Sequence, residues 1–109
     1  MSSADVSRCW LSVEAGKQQG QVYELHQEVV RIGRVPGNDI VLGDVTVGRL
    51  HAQIVRLEDG TYEIQDTGSA NGIVLNERRL NPYEFQPLQD GDRIQLGEAV
   101  LVFLAKLQV

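Results

Sequence analysis

Apolar and polar residues alternate along most of this chain in short runs. The runs are CWLSVEA at 9–15, QVYEL at 21–25, EVVRIG at 28–33, AQIVRL at 52–57, TYEIQD at 61–66, IVLN at 73–76, DRIQLG at 92–97 and AVLVFLAKL at 99–107. Each is rich in Val, Ile, Leu or aromatic residues and has the two-residue period of a half-buried strand. Turn signals separate them: GKQQG, VPGND, LEDG, GSANG, LNP and LQDGD. Strands of this length with such punctuation predict an all-β sandwich or barrel. No segment holds a 3.6-residue apolar period for three turns, so no substantial helix is expected.

One run is broken. In VTVGRLHAQI, residues 45–54, Val45 and Val47 lead in and Ala52 and Ile54 lead out, with Gly48, Arg49 and His51 between them. A strand needs neither a glycine nor a cation nor an imidazole there, which points to a functional loop. Two other loops are similarly rich in special residues. RIGRVPGNDIVL at 31–42 places Arg34 directly after Gly33, and DTGSANGI at 66–73 contains the turn dipeptide Asn71-Gly72. In a sandwich the strand faces are taken up by core packing, so binding groups belong on the loops.

Composition bounds the picture. At 109 residues the chain is expected to be one domain over 1–109. Strand pattern runs almost to the last residue, which leaves open that it is a piece of a longer protein. The single cysteine, Cys9, rules out an internal disulfide and fits a reducing compartment. No apolar run approaches membrane-span length, and the opening MSSADVSRCW does not have the form of a secretory signal. A cytoplasmic location with no membrane partner is expected. The net charge of −5 argues against nucleic acid as a partner. Within the ten basic residues, however, eight are arginines. Arginine grips phosphate with a planar fork, which hints at a local anion site on an acidic body.

The ordered pieces carry a family resemblance. G-R at 33–34, N-D-I-x-L at 38–42, R-x-H-A at 49–52, D-x-x-S-x-N-G at 66–72 and L-x-D-G-D-x-I-x-L-G at 88–97 occur collinearly. From about Arg31 to Phe103 the chain resembles the forkhead-associated (FHA) domain. That resemblance implies a twisted antiparallel sandwich of about eleven strands, whose loops at one end bind phosphothreonine peptides.

Residue by residue, the resemblance implies that Arg34 holds the phosphate, with Arg49 as a second cation. Asn71 bonds the backbone of the bound peptide. An amide suits that task because it donates and accepts at once. Phosphothreonine carries about −1.5 to −2 charge, which a guanidinium answers with charge-assisted hydrogen bonds. The rival reading of Arg34 is an ion pair with Asp39 or Asp44; that of Asn71 is a plain turn residue. Gly33, His51, Ser69 and Gly72 read as structural support of the site, with Asp66 shaping the same loop.

Three positions depart from the family pattern. Gly48 stands where the family usually has a phosphate-binding serine, so a hydroxyl is missing. A hydrogen bond to a charged group is worth roughly 1.5–3 kcal/mol, so its loss weakens binding roughly ten- to a hundredfold unless replaced. The expected replacements are the Gly48 backbone amide, presented as part of a nest, then Arg49, then the hydroxyl of Thr46. Ala70 offers no side-chain bond to a peptide, and Ile73 replaces a frequent threonine and is expected to turn inward.

Two functions follow from different classes. The first is a phosphothreonine-peptide-binding signalling module whose partners are phosphorylated by Ser/Thr kinases. The second is a phosphorylation-independent interaction or self-association module on the same scaffold. Oligomeric state is not legible in the sequence. Catalysis is not expected, since no nucleophile and base are patterned around His51. No cofactor is implied. Two histidines and one cysteine, unclustered, do not make a metal site, and Asp90 and Asp92 lack the rest of a calcium loop. Arg78-Arg79 reads as solvated hairpin charge, and Tyr83 and Phe85 as a lid on the sandwich.

Overall fold

The computed structural model describes residues 7–107. Residues 1–6, on which much of the signal-sequence reading falls, lie outside the described residues. Eleven strands form: β1 Ser7–Ala15, β2 Val22–Leu25, β3 Val29–Gly33, β4 Ile40–Val41, β5 Ala52–Arg56, β6 Tyr62–Asp66, β7 Ile73–Leu75, β8 Arg78–Arg79, β9 Phe85–Pro87, β10 Arg93–Leu96 and β11 Ala99–Leu107. They make a six-stranded sheet, β2-β1-β11-β10-β7-β8, and a five-stranded sheet, β4-β3-β5-β6-β9. Eight of the strands coincide with the alternating runs. The other three, β4, β8 and β9, have two, two and three residues, too short for a period of two to register. One pairing corrects the antiparallel expectation: β4 runs parallel to β3, with Ile32 opposite Ile40.

Alternation decides what is buried. Leu11 and Val13 on β1, Ile54 on β5, Ile64 on β6, Ile94 and Leu96 on β10 and Leu101 and Phe103 on β11 point into the space between the sheets. Tyr62 meets Phe103 edge to face, at 6.0 Å between ring centroids. A core made this way loses about 2–5 kcal/mol for each large aliphatic side chain cut to alanine. Ile73 is fully buried as the first residue of β7, turned inward as expected. The lid reading of Tyr83 and Phe85 is corrected: Tyr83 is 64% exposed and Phe85 43% exposed, because core positions nearby are already filled by Leu80 and Leu88.

The rigid sheets deliver three loops to one place. The β3–β4 loop (34–39), the β4–β5 loop (42–51) and the β6–β7 loop (67–72) are cross-linked by side chains. Asn38 Nδ2 donates to the Arg49 carbonyl at 2.8 Å, and Asn71 Nδ2 donates to the Thr46 carbonyl at 2.7 Å.

Candidate functional site

Gly33 ends β3 where the β4–β5 loop comes closest. A Cβ added there would overlap the Arg49 carbonyl and lie 2.6 Å from Asn38 Nδ2. Glycine is therefore required by the close approach of two backbones, the supporting role expected of it. Asn38 fills the space so created. Its amide bonds the carbonyls of Val35 at 2.9 Å and Arg49 at 2.8 Å, fixing both sides of the site.

Arg34 follows at once. Its backbone N–H donates to the Gly48 carbonyl, and its Nε donates to the Val47 carbonyl, each at 2.9 Å. The side chain is half-buried and its stem is thereby held. The two terminal nitrogens of the guanidinium have no hydrogen-bond or ion-pair partner among the described residues. Neither rival carboxylate competes. Asp39 accepts the Arg31 backbone N–H at 2.8 Å, and Asp44 accepts the Lys17 N–H with both oxygens at 3.2 Å. A fixed cation with a free fork is what an incoming oxyanion needs.

The β4–β5 loop corrects one expectation. The Gly48 N–H donates to His51 Nδ1 at 2.9 Å, so that amide is not on offer to a ligand. His51 Nε2 in turn bonds the Gly72 carbonyl at 2.7 Å. With Nδ1 accepting and Nε2 donating, the ring is the neutral tautomer, and both nitrogens are used. Burial pushes its pKa below the ordinary histidine value, against the opposing effects of the Gly72 carbonyl and Asp66. His51 is thus a fully buried cross-brace, as expected. The backbone N–H groups of Arg49 and Leu50 have no acceptor among the described residues, so any amide contribution comes from them. The Arg49 side chain is exposed and has no hydrogen-bond or ion-pair partner among the described residues.

Nothing in the space around Gly48 demands glycine. A Cβ there would lie 3.5 Å from Ser69 Cβ and 3.6 Å from His51 Nδ1, ordinary contact distances, and no left-handed backbone is involved.

The β6–β7 loop is built on a buried carboxylate. Asp66 Oδ1 accepts the Ser69 hydroxyl at 2.7 Å and the Ser69 N–H at 3.0 Å, while Ser69 Oγ accepts the Gly72 N–H at 3.0 Å. Ser69 and Gly72 are fully occupied by this turn, as expected of support residues. Asn71 stands exposed at its end. Its bond to Thr46 uses one amide hydrogen and leaves Oδ1 and the second hydrogen for another partner. Thr46 is corrected to an anchor: its hydroxyl oxygen accepts the Glu98 N–H at 2.8 Å and packs against Gly97. Ala70 is exposed beside Asn71 and leaves the approach open. The structure therefore brings Arg34, Gly48, Arg49, His51 and Asn71 together, and turns Thr46 toward the β10–β11 turn.

Two residues at this end were missed as neighbours of the site. Arg79 lies against Gly72: a Cβ there would sit 2.7 Å from one terminal guanidinium nitrogen and 2.9 Å from Cζ. Tyr83 holds its hydroxyl over Gly68, on a left-handed backbone with φ of 67°. For Arg79 the available signal was the hairpin Leu75–Arg78, whose register returns residue 79 toward the start of β7.

Asp90 and Asp92 are bound to backbone, accepting from Ala105 at 2.9 Å and Gln89 at 2.7 Å respectively, as turn formers. Among the described residues no cluster of His, Cys, Asp and Glu could hold a metal ion, and no helix is long and apolar enough to cross a membrane.

The family model of the FHA domain matches residues 30–97. The chain belongs to the FHA-domain family. The match spans Arg34, Gly48, Arg49, His51 and Asn71. The oxoglutarate dehydrogenase inhibitor of Corynebacterium efficiens is 44% identical over 95 residues, covering 87% of this chain and 64% of that protein. The chain thus spans less than two thirds of that relative. Among solved structures, the FHA domain of an Arabidopsis thaliana protein superposes with a TM-score of 0.84 at 30% identity, covering 100% of this chain and 94% of that one. EmbR of Mycobacterium tuberculosis, solved with a low-affinity phosphopeptide, superposes with a TM-score of 0.80 at 33% identity, covering 95% of this chain and 26% of that one.

Proposed function

We propose that this FHA domain binds phosphothreonine in a partner protein and acts as a signalling adaptor rather than as a catalyst. The observation that carries the reading is Arg34: its stem is pinned to the Val47 carbonyl, its terminal nitrogens are unpaired, and both nearby aspartates are engaged elsewhere. The phosphate sits on that fork. Arg49 contributes its N–H and its guanidinium, the Leu50 N–H assists, and Asn71 Oδ1 and its spare hydrogen take the peptide backbone. Gly48 gives the phosphate no bond of its own, since it has no hydroxyl and its N–H is donated to His51 Nδ1.

Selection for threonine over serine rests on burying one methyl, about 0.8 kcal/mol, so it is modest. Catalysis has no support at the site, since the imidazole is buried with both nitrogens engaged. The name of the Corynebacterium relative suggests a metabolic enzyme as one class of partner, and the unpaired buried Cys9 fits action in the cytoplasm.

Gly48 favours a second reading, a phosphate-blind interaction module, because the hydroxyl is missing. Calorimetric titration separates the two, using a degenerate phosphothreonine pool, its unphosphorylated twin and a phosphoserine version. Binding that needs the phosphate supports the first reading. Equal binding of phosphorylated and unphosphorylated pools supports the second.

A further inference from the structure

Asn38, Asn71, Asn76 and Asn81 differ in what surrounds their side-chain amides. Asn81 precedes Pro82, whose nitrogen carries no hydrogen and cannot attack a neighbouring amide. Asn38 gives its amide to two carbonyls, and the next backbone N–H, that of Asp39, is held by the Arg31 carbonyl at 2.9 Å. Asn76 is tied at both ends of its amide, to Asp92 and to the Arg93 N–H. Asn71 is exposed and its side chain has one bond, to the Thr46 carbonyl. The next residue is Gly72, which has no side chain to obstruct ring closure.

Two features favour attack by the Gly72 nitrogen on the Asn71 side chain. The Gly72 N–H already points at an acceptor, Ser69 Oγ at 3.0 Å, whose own proton is given to Asp66 at 2.7 Å. The Arg79 guanidinium lies on Gly72 and has no hydrogen-bond or ion-pair partner among the described residues. A cation there stabilises the negative charge that the nitrogen gains as its proton leaves. Blunting the β8 edge against aggregation would explain two exposed arginines, but it would not require one to lie on this turn.

We propose that Asn71 deamidates spontaneously, assisted by Arg79, and that the change switches the binding site off. The switch rests on the phosphothreonine reading of the site. In the first step the Gly72 nitrogen bonds to Asn71 Cγ and the Cγ–Nδ2 bond breaks. The proton of the Gly72 N–H departs through Ser69 Oγ and leaves with Nδ2 as ammonia. The cyclic imide then takes up one water, which opens it to aspartate or isoaspartate. Both reacting groups belong to adjacent residues, so closure needs no partner beyond solvent. The bond to the Thr46 carbonyl must open first, and a peptide gripped by Asn71 holds the amide back further. Occupied domains therefore keep Asn71 and idle ones lose it. The product carboxylate has no hydrogen for the Thr46 carbonyl or for the peptide, and it sets a negative charge on the loop that faces the phosphate.

The test is ageing of the whole chain in warm, mildly alkaline buffer, with peptide mapping by mass spectrometry at intervals. Asn71 is expected to convert ahead of Asn38, Asn76 and Asn81, and to convert about fivefold more slowly in Arg79→Ala, the effect a nearby exposed charge allows. The degenerate phosphothreonine pool slows conversion and its unphosphorylated twin does not. Aged protein is separated by its added negative charge on anion exchange and shown by a melt to be folded. It is expected to bind the phosphothreonine pool about tenfold more weakly, as is Asn71→Asp. An Asn71 amide that lasts as long as the other three, or equal rates in wild type and Arg79→Ala, overturns the proposal. Aged, folded protein with the affinity of fresh protein overturns the switch and leaves the phosphothreonine reading standing. Equal binding of phosphorylated and unphosphorylated pools by fresh protein overturns that reading and the switch together.

Discussion

Gly48 donates its backbone N–H to His51 Nδ1 at 2.9 Å, and His51 spans from there to the Gly72 carbonyl at 2.7 Å. One buried ring thus spaces the loop that carries Arg49 from the loop that carries Asn71. The residue at position 48 is bound through its backbone while its side-chain position stays empty.

Gly48→Ser is therefore expected to strengthen binding. The added Cβ meets only ordinary contacts, the closest being 3.5 Å from Ser69 Cβ. The new hydroxyl supplies a charge-assisted hydrogen bond to phosphate, worth about ten- to a hundredfold in affinity. Titration of both proteins with one phosphothreonine peptide checks it. An unchanged or lower affinity in a folded variant contradicts the assignment of the phosphate to this loop.

His51 makes stability depend on pH. Burial lowers its pKa in the folded protein, while the unfolded chain protonates near the ordinary value of about 6.5. Below that pH the unfolded state holds more protons than the folded one, so stability falls as the solution is acidified through about pH 6.5 and is full above it. Urea unfolding between pH 8 and 5 without ligand measures this. His51→Ala should flatten the slope while lowering stability throughout, because it also leaves the Gly48 N–H and Gly72 carbonyl without their partner.

The turn between β7 and β8 stores strain. Asn76 and Glu77 have φ of 50° and 69°, the left-handed pair that a two-residue hairpin requires. Asn76 is compensated, since its side chain bonds Asp92 at 2.8 Å and the Arg93 N–H at 2.9 Å. Among the described residues no such bond holds Glu77. Glu77→Gly is expected to stabilise the domain by about 1 kcal/mol, read from thermal or urea unfolding.

Gly33→Ala should do the opposite. Its methyl group collides with the Arg49 carbonyl, backbone that cannot swing aside. A loss of about 1–3 kcal/mol is expected, the range for overpacking, together with weaker phosphopeptide binding as the Arg49 segment is displaced. A variant as stable as the wild type would show that the two loops are not locked together.

The long strands were legible because alternation records which face meets the other sheet, as in Tyr62, Ile64 and Asp66 of β6. Strands β4, β8 and β9 are set by pairing with neighbours and carry no pattern of their own. That Arg34, Arg49 and Asn71 share one end of the sandwich was legible through the family spacing. The engagement of the Gly48 amide was not, because the fate of a backbone N–H depends on where a ring three residues later points. Arg79 was overlooked for a related reason. Its neighbour Gly72 is defined by hairpin register and by a missing Cβ, and the paired arginines alone look like solvated charge.

The central claim is that Arg34 meets phosphate. Its most direct test is a double cycle: wild type and Arg34→Ala, each titrated with one phosphothreonine peptide and its unphosphorylated twin, with folding verified by melts. Removing either the phosphate or the guanidinium should abolish most of the binding, and removing the second after the first should cost little more. If Arg34→Ala instead keeps the wild-type preference for the phosphorylated peptide, the phosphate lies elsewhere and this account of the site is wrong.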